Sequence, residues 1–202
     1  MALTKAAEAI TDWTAVAMNA IGESGIINIS GHYDTSLIIQ AFLDTETAHT
    51  GTEFIVQVSQ QAAGDEDWAD YTRFTGLGGT ANQEPLTNNP AGVGTTVLTC
   101  VSTTGFTVGD AELPWRAIKD GTLINSELIL QVAVSANVSI TVLDGTTNSH
   151  VQNTNMYSIA LSKQLTLGFN TGLRARVVVN NGYDSNGSAM NYKVNIVKVT
   201  AL

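Results

Sequence analysis

One cysteine, Cys100, stands among 202 residues, so no internal disulfide is available. Bases are scarce as well: 9 lysines and arginines face 18 aspartates and glutamates, for a formal charge of −9. Such a surface repels phosphate backbones and gains nothing from counterion release, which excludes nucleic acid as an expected partner. No stretch approaches the roughly 20 unbroken apolar residues that a membrane-crossing helix needs, so no membrane partner is expected either. Lys5 is the only early base and Thr11, Asp12 and Thr14 interrupt any apolar run, so no signal peptide is read at the N-terminus. The charged fraction is only 13%, which leaves little material for catalysis.

What is present suits a packed core. Hydrophobic residues make up 44% of the chain, and a chain of this length can bury a core without metals or disulfides. The recurrence of Leu3, Ala6, Ala7, Ile10, Trp13, Ala17, Ala20 and Ile21 at three- and four-residue spacing predicts a helix over residues 3–21 that ends near Gly22 and Gly25. Its apolar stripe, Leu3, Ala7, Ile10, Trp13, Ala17 and Ile21, is the candidate partner-binding surface.

After Gly25 the pattern becomes that of strands, rich in Val, Ile and Thr with turn residues every 8–12 positions. The expected strands are 26–30, 36–43, 53–60, 95–101, 127–133, 139–143, 157–161, 164–169, 173–180 and 191–199. The last two read as a long hairpin turned by residues 181–188, pairing with strands 36–43 and 53–60 to close a sandwich from both chain ends. Residues 75–94 read as a long loop, and a small β unit follows in which Phe106 and Val108 anchor inward. The expected fold is all-β: a β-sandwich, jelly-roll or Ig-like, with a small inserted β unit and an N-terminal α-helical arm. Its expected divisions are the arm at 1–24, the first part of the sandwich with its long loop at 25–94, the insert at 95–147, and the rest of the sandwich at 148–202.

Motifs with chemistry are few. His32, His49 and His150 lack metal-ligand spacing and read as loop residues. Cys100 sits beside Val97, Leu98 and Val101 and reads as a core thiol. The carboxylates of Asp65, Glu66, Asp67 and Asp70 could attract calcium, but Trp68 and Tyr71 beside them favour an acid-capped turn. Residues 184–188 lack the remaining ligands of a calcium loop, and Gly76-Leu77-Gly78-Gly79 lacks the strand-turn-helix setting of a phosphate cradle. No catalytic, cofactor-binding or metal-binding residue is assigned, no cofactor is expected, and the chain is not expected to be an enzyme.

Several phrases resemble structural proteins encoded in tailed-bacteriophage virion gene clusters. They are Tyr33-Asp34-Thr35-Ser36-Leu37-Ile38-Ile39, the run from Thr47 to Ser59, Gly64-Asp65-Glu66-Asp67-Trp68, Thr104-Gly105-Phe106-Thr107-Val108-Gly109-Asp110, Asp120-Gly121-Thr122 and Asn125-Ser126-Glu127. The resemblance implies a non-enzymatic virion component, most specifically a capsid decoration or cement protein. Its implied partners are the major capsid protein or other virion proteins, with homo-oligomers within the particle, and its implied location is the virion after synthesis in the host cytoplasm. An alternative is a receptor- or carbohydrate-recognition module whose contacts would be Trp68, Tyr71, Phe74 and Trp115.

Overall fold

A computed structural model of the chain describes residues 3–32, 34–44, 48–49, 51–64, 67–107, 114–168, 172–181 and 189–201. Among these, every regular element is a strand. The strands β4 (Asp34–Leu43), β5 (Thr52–Ser59), β14 (Arg174–Asn180) and β15 (Met190–Ala201) are rich in β-branched and aromatic residues. Inward Leu37, Ile39, Val56, Val177, Val179, Val194 and Ile196 alternate with more exposed neighbours.

Two sheets share the largest core. The first has the order β1 (Leu3–Val16), β15, β4, β13 (Ala160–Leu167), and the second the order β2 (Ile21–Glu23), β14, β5, β6 (Ala69–Gly76). The short β3 (Ile27–Asn28) follows β2 along the same edge of β14. All of these pairings are antiparallel, and the facing sides bury twenty residues in one cluster, Phe54 and Tyr192 being its largest. Apolar burial is worth about 25 cal/mol per Å², so this core favours the folded state.

The expected helical arm does not form. Residues 3–16 are β1, an edge strand on β15, and Leu3 pairs with Ala201, Ala7 with Val197 and Val16 with Met190. Register shifts between Ala9 and Thr11 and between Thr11 and Thr14 explain the misreading. Each shift inserts a residue into the alternation. Ile10 therefore packs on the sandwich core, Trp13 turns to the opposite face, and Val16 returns to the core, so a three-residue spacing arises without a helix. Tertiary pairing outweighs the alanine-rich helix propensity.

The expected C-terminal hairpin is also corrected. β14 and β15 lie in different sheets, and neither is the hydrogen-bonded neighbour of the other. Each does pair with an early strand, β14 with β5 and β15 with β4, so the two chain ends close the sandwich together. The turn residues 182–188 lie outside the described residues.

Between β6 and β13 the chain builds a third sheet. Its order is β7 (Gln83–Pro85), β12 (Asn155–Tyr157), β9 (Trp115–Lys119), β10 (Glu127–Ser135), β11 (Ser139–Val142), β8 (Val97–Thr99). Ten buried residues form its own core, including Phe106, Leu98, Ile118, Met156 and Cys100. The segment 75–94 is more structured than a loop: it contributes β7, and Leu86 and Ala91 reach the third-sheet core. Val108 lies outside the described residues.

The third sheet packs on the outer side of the first through Phe42, Ala117 and Tyr157, with Trp13, Leu123, Leu128 and Ala160 around them. Trp13 meets the Phe42 ring edge-on at 5.1 Å, and its Nε1 donates to the Ser126 carbonyl at 2.7 Å. An ion pair between Lys119 and Asp44 crosses the same seam.

Candidate interaction surface

The first sheet presents two unlike regions on its outer side. Where Leu37, Ile39, Val194 and Ile196 point inward, the alternate residues form cross-strand rows facing outward. The row Asn191–Phe42–Ala160 lies under the third sheet. Further along, the row Lys193–Gln40–Ser162 carries one charge, the rows Ala9–Asn195–Ile38–Gln164 and Ala7–Val197–Ser36–Thr166 carry none, and the next row sets Lys5 beside Val199 and Asp34. A shallow groove of about 250 Å³ runs between β1 and β4 over Ala7, Glu8, Ala9, Ile38, Asn195 and Val197.

The outer side of the second sheet is built from charge. Arg176 donates to Gln57 at 2.8 Å and pairs with Glu23 at 3.3 Å, while Gln57 donates to Asp70 at 2.9 Å. Arg73 bridges Asp70 and Glu53. The hydrogen bonds from Gln57 and Arg73 hold the Asp70 carboxyl below its ordinary value. Trp68 lies against two guanidinium groups, 5.0 Å from Arg174 and 4.5 Å from Arg176. Arg174 in turn donates to the carbonyls of Gln61 and Gly64, both at 2.7 Å, and so ties down the chain before Trp68.

The six residues expected to form one stripe are divided by β1 and the turn after it. Leu3 and Ala7 are exposed near the start of the strand, and Ala17 and Ile21 are exposed beyond its end. Ile10 and Trp13 are engaged in two different cores. Of the aromatics considered for sugar contact, Phe74 stacks on Phe54 at 5.0 Å, Trp68 is held by arginines, and Trp115 is half-buried. Tyr71 is the exposed one, at 46%.

The titratable groups act as structural ties. His150 Nε2 lies 2.6 Å from Glu127 Oε1, and both side chains are almost fully buried. The same carboxylate accepts from the backbone amides of Thr147 at 2.7 Å and Asn148 at 3.2 Å, and from the Thr147 hydroxyl. Burial pushes the Glu127 carboxyl up, but these donors outweigh it and hold it below the ordinary value. The cluster clasps residues 147–150 to the start of β10. The sequence signalled neither partner, because twenty-three residues separate them.

His49 is buried and lies 2.8 Å from Asn181 Oδ1, while Gly51 N donates to its Nδ1 at 3.0 Å. His32 is half-buried beside Thr200. The loop reading thus understated the packing of His49 and His150. Cys100 lies in the third-sheet core, where burial raises its thiol pKa. Asp67 accepts from Ser59 at 2.6 Å, while Asp65 and Glu66, like residues 184–188, lie outside the described residues. Among the described residues, no three His, Cys, Asp or Glu side chains gather as a metal site would require.

Arg116 is a buried cation held by neutral acceptors: Gln131 Oε1 at 2.6 Å and the carbonyls of Thr107 and Ser158. Burial lowers its pKa to about 10, which leaves it charged at neutral pH. Its guanidinium lies over Phe106 at 5.6 Å, so it fixes the loop before β9 to the third-sheet core.

No protein-family model and no curated protein sequence matches the chain. Among solved structures it is similar to the SPBc2 prophage-derived protein YomS, at 8% identity and a TM-score of 0.31, covering 99% of this chain and 96% of that one. VP17, a capsid protein of bacteriophage P23-77, matches at 7% identity and a TM-score of 0.21 over 100% and 98% of the two chains. The winged bean acidic lectin matches at 11% identity and a TM-score of 0.30 over 98% and 93%. Likenesses this distant decide neither fold nor function.

Proposed function

We propose that the chain is a non-enzymatic structural protein of a bacteriophage virion, specifically a decoration or cement protein that binds the capsid lattice. The observation that carries this reading is the strand order. The sandwich sets β1-β15-β4-β13 against β2-β14-β5-β6, which is the order of a jelly roll, with the third sheet inserted between the fifth and sixth of these eight strands, β6 and β13. Jelly rolls serve repeatedly as viral capsid and lectin domains. A second support is the resemblance of the sequence phrases to phage virion proteins, two of which run into β4 and β5.

In this role the partners are the major capsid protein or other virion proteins, and the protein resides in the particle. The test is quantitative mass spectrometry of purified particles from cells expressing the gene. The reading expects the chain in a fixed, high ratio to the major shell protein, and expects shells lacking it to gain heat resistance when it is added back. Absence from purified particles would overturn it.

A further inference from the structure

We infer that the third sheet is a hinged cover on the first, pivoting about Asn82 and Ser158 and opening from the β1 edge. The inference does not rest on the virion reading. The chain leaves the sandwich after β6 and re-enters it at β13, so two links carry the whole unit. The links meet at one point: Asn82 N donates to Ser158 Oγ at 2.7 Å, and Ser158 N donates to the Asn82 carbonyl at 3.0 Å. On the sandwich side of this pair, Leu77 and Ala81 belong to the sandwich core and Ile159 packs on it. On the other side, the Arg116 guanidinium donates to the Ser158 carbonyl from within the third sheet. A single bonded pair of link residues between two separately packed bodies is the arrangement of a hinge.

The seam between the sheets runs away from this pivot. Ala160 follows the link directly, and the row Ala160–Phe42–Asn191–Ala15 crosses the first sheet from β13 to the opposite edge strand, β1. At that far edge the bond from the Trp13 indole to the Ser126 carbonyl is the latch, and the bulge between Thr11 and Thr14 is what turns Trp13 to this face. Beside the latch the two bodies are already parted. A cavity of about 140 Å³ lies there, with Asp12, Trp13 and Lys193 on one side and Thr122, Leu123 and Ile124 on the other.

What lies beneath the cover favours its release. Asn191 is fully buried in that row, and neither its Oδ1 nor its Nδ2 has a hydrogen-bond partner among the described residues. Its cross-strand neighbours Ala15 and Phe42 have no polar side-chain atom to offer. A buried amide without partners penalises the closed form, and water satisfies it once the cover lifts. The apolar hold is small: the seam buries Phe42, Ala117 and Tyr157, against ten residues in the core of the third sheet and twenty in that of the sandwich. Opening breaks the Trp13 bond and the Lys119–Asp44 ion pair and leaves both larger cores intact. It is therefore a sub-global opening that needs no unfolding of either body.

The test is the rate at which buried thiols of the full chain react with N-ethylmaleimide, the modified sites being located by peptide mass spectrometry. Ala117→Cys places a thiol in the seam and Ala175→Cys one in the sandwich core, both at fully buried positions, while native Cys100 reports on the third-sheet core. The seam thiol should react faster than either of the others by about tenfold or more, and Asn191→Leu, which removes the orphaned amide, should slow it by about tenfold. A seam thiol no faster than the other two overturns the inference, and so does a seam rate that Asn191→Leu leaves unchanged. The indole hydrogen of Trp13 gives a reading that needs no introduced cysteine. Its exchange with solvent should slow by a similar factor in Asn191→Leu, and exchange at the wild-type rate overturns the inference again.

Discussion

The outer side of the second sheet and the outer side of the first are made of opposite materials, although the same alternation of residues generates both. On the second, Glu23, Arg176, Gln57, Asp70, Arg73 and Glu53 satisfy one another in water, and Trp68 is clamped by arginines. On the first, aromatic and aliphatic residues at one end receive the third sheet, and beyond a row holding Lys193 two uncharged rows precede one holding Lys5 and Asp34. A face whose polar groups are mutually paired gains little by losing its water. The first face mixes Ala, Val and Ile with Ser, Thr, Asn and Gln, whose polar groups need hydrogen-bond partners wherever they lose water. The same period of two therefore yields a charge-paired face on one sheet and a sparsely charged one on the other.

The largest expected effect comes from removing β1. A chain starting at Ser24 loses Ile10, Trp13 and Val16 from two cores together with β1 and the short β2, an edge strand from each sandwich sheet. At about 2–5 kcal/mol for each large buried side chain, the loss rivals a total stability of about 5–15 kcal/mol. Circular dichroism should show an unfolded or molten protein; a cooperative melt like that of the full chain would reduce β1 to an appendage and break the contrast.

Next comes Phe42→Ala, which empties the seam between the first and third sheets at an expected cost of about 3–5 kcal/mol. Denaturant unfolding should move from one transition towards two as the third sheet loses its support. Ile118→Ala, cut into the third-sheet core, should instead weaken that sheet by about 2–4 kcal/mol and leave the sandwich intact.

Glu127→Gln tests the buried clasp and should cost about 2–3 kcal/mol through its charge-assisted hydrogen bonds. The folded carboxyl titrates below its unfolded value. Its contribution is therefore complete above the unfolded value of about 4 and disappears as pH falls through the folded one. Melting temperatures of the two proteins should differ at neutral pH and converge on acidification; a gap constant down to low pH would exclude the ionised carboxylate as its source.

A smaller change, Gly22→Ala, places a methyl 2.6 Å from Val16 Cγ2 and 3.2 Å from the Tyr192 ring. The overpacking should cost about 1–2 kcal/mol, read as a drop in melting temperature. Trp68→Ala on the second sheet should cost about 1 kcal/mol and leave the native mass unaltered, since that face holds no partner in this account.

The sequence revealed the strands whose alternation is uninterrupted. Val177 and Val179 in β14, Val194 and Ile196 in β15, and Leu37 and Ile39 in β4 each repeat at period two, and each element was legible. β1 was not, because its two bulges turn a period of two into steps of three at Ile10, Trp13 and Val16. β6 was missed for a different reason: an edge strand carrying Asp70, Thr72 and Arg73 resembles a loop when its neighbour is unknown. β9 was concealed by Arg116 and Lys119, charged residues whose partners arrive from distant segments. The last two strands were legible as elements but not as members of opposite sheets, since local pattern records which face is buried and not which strand lies beside it. Leu3 and Ala7 were singled out from an apolar stripe, whereas the open edge itself is a property of the pairing partners.

Amide hydrogen exchange across β1, resolved residue by residue, tests most directly whether these residues are a strand with one open edge. Amides within Leu3–Ala9 that face β15 should be protected while their alternate neighbours exchange freely. Uniform protection in steps typical of a helix, or free exchange throughout the segment, would contradict the account.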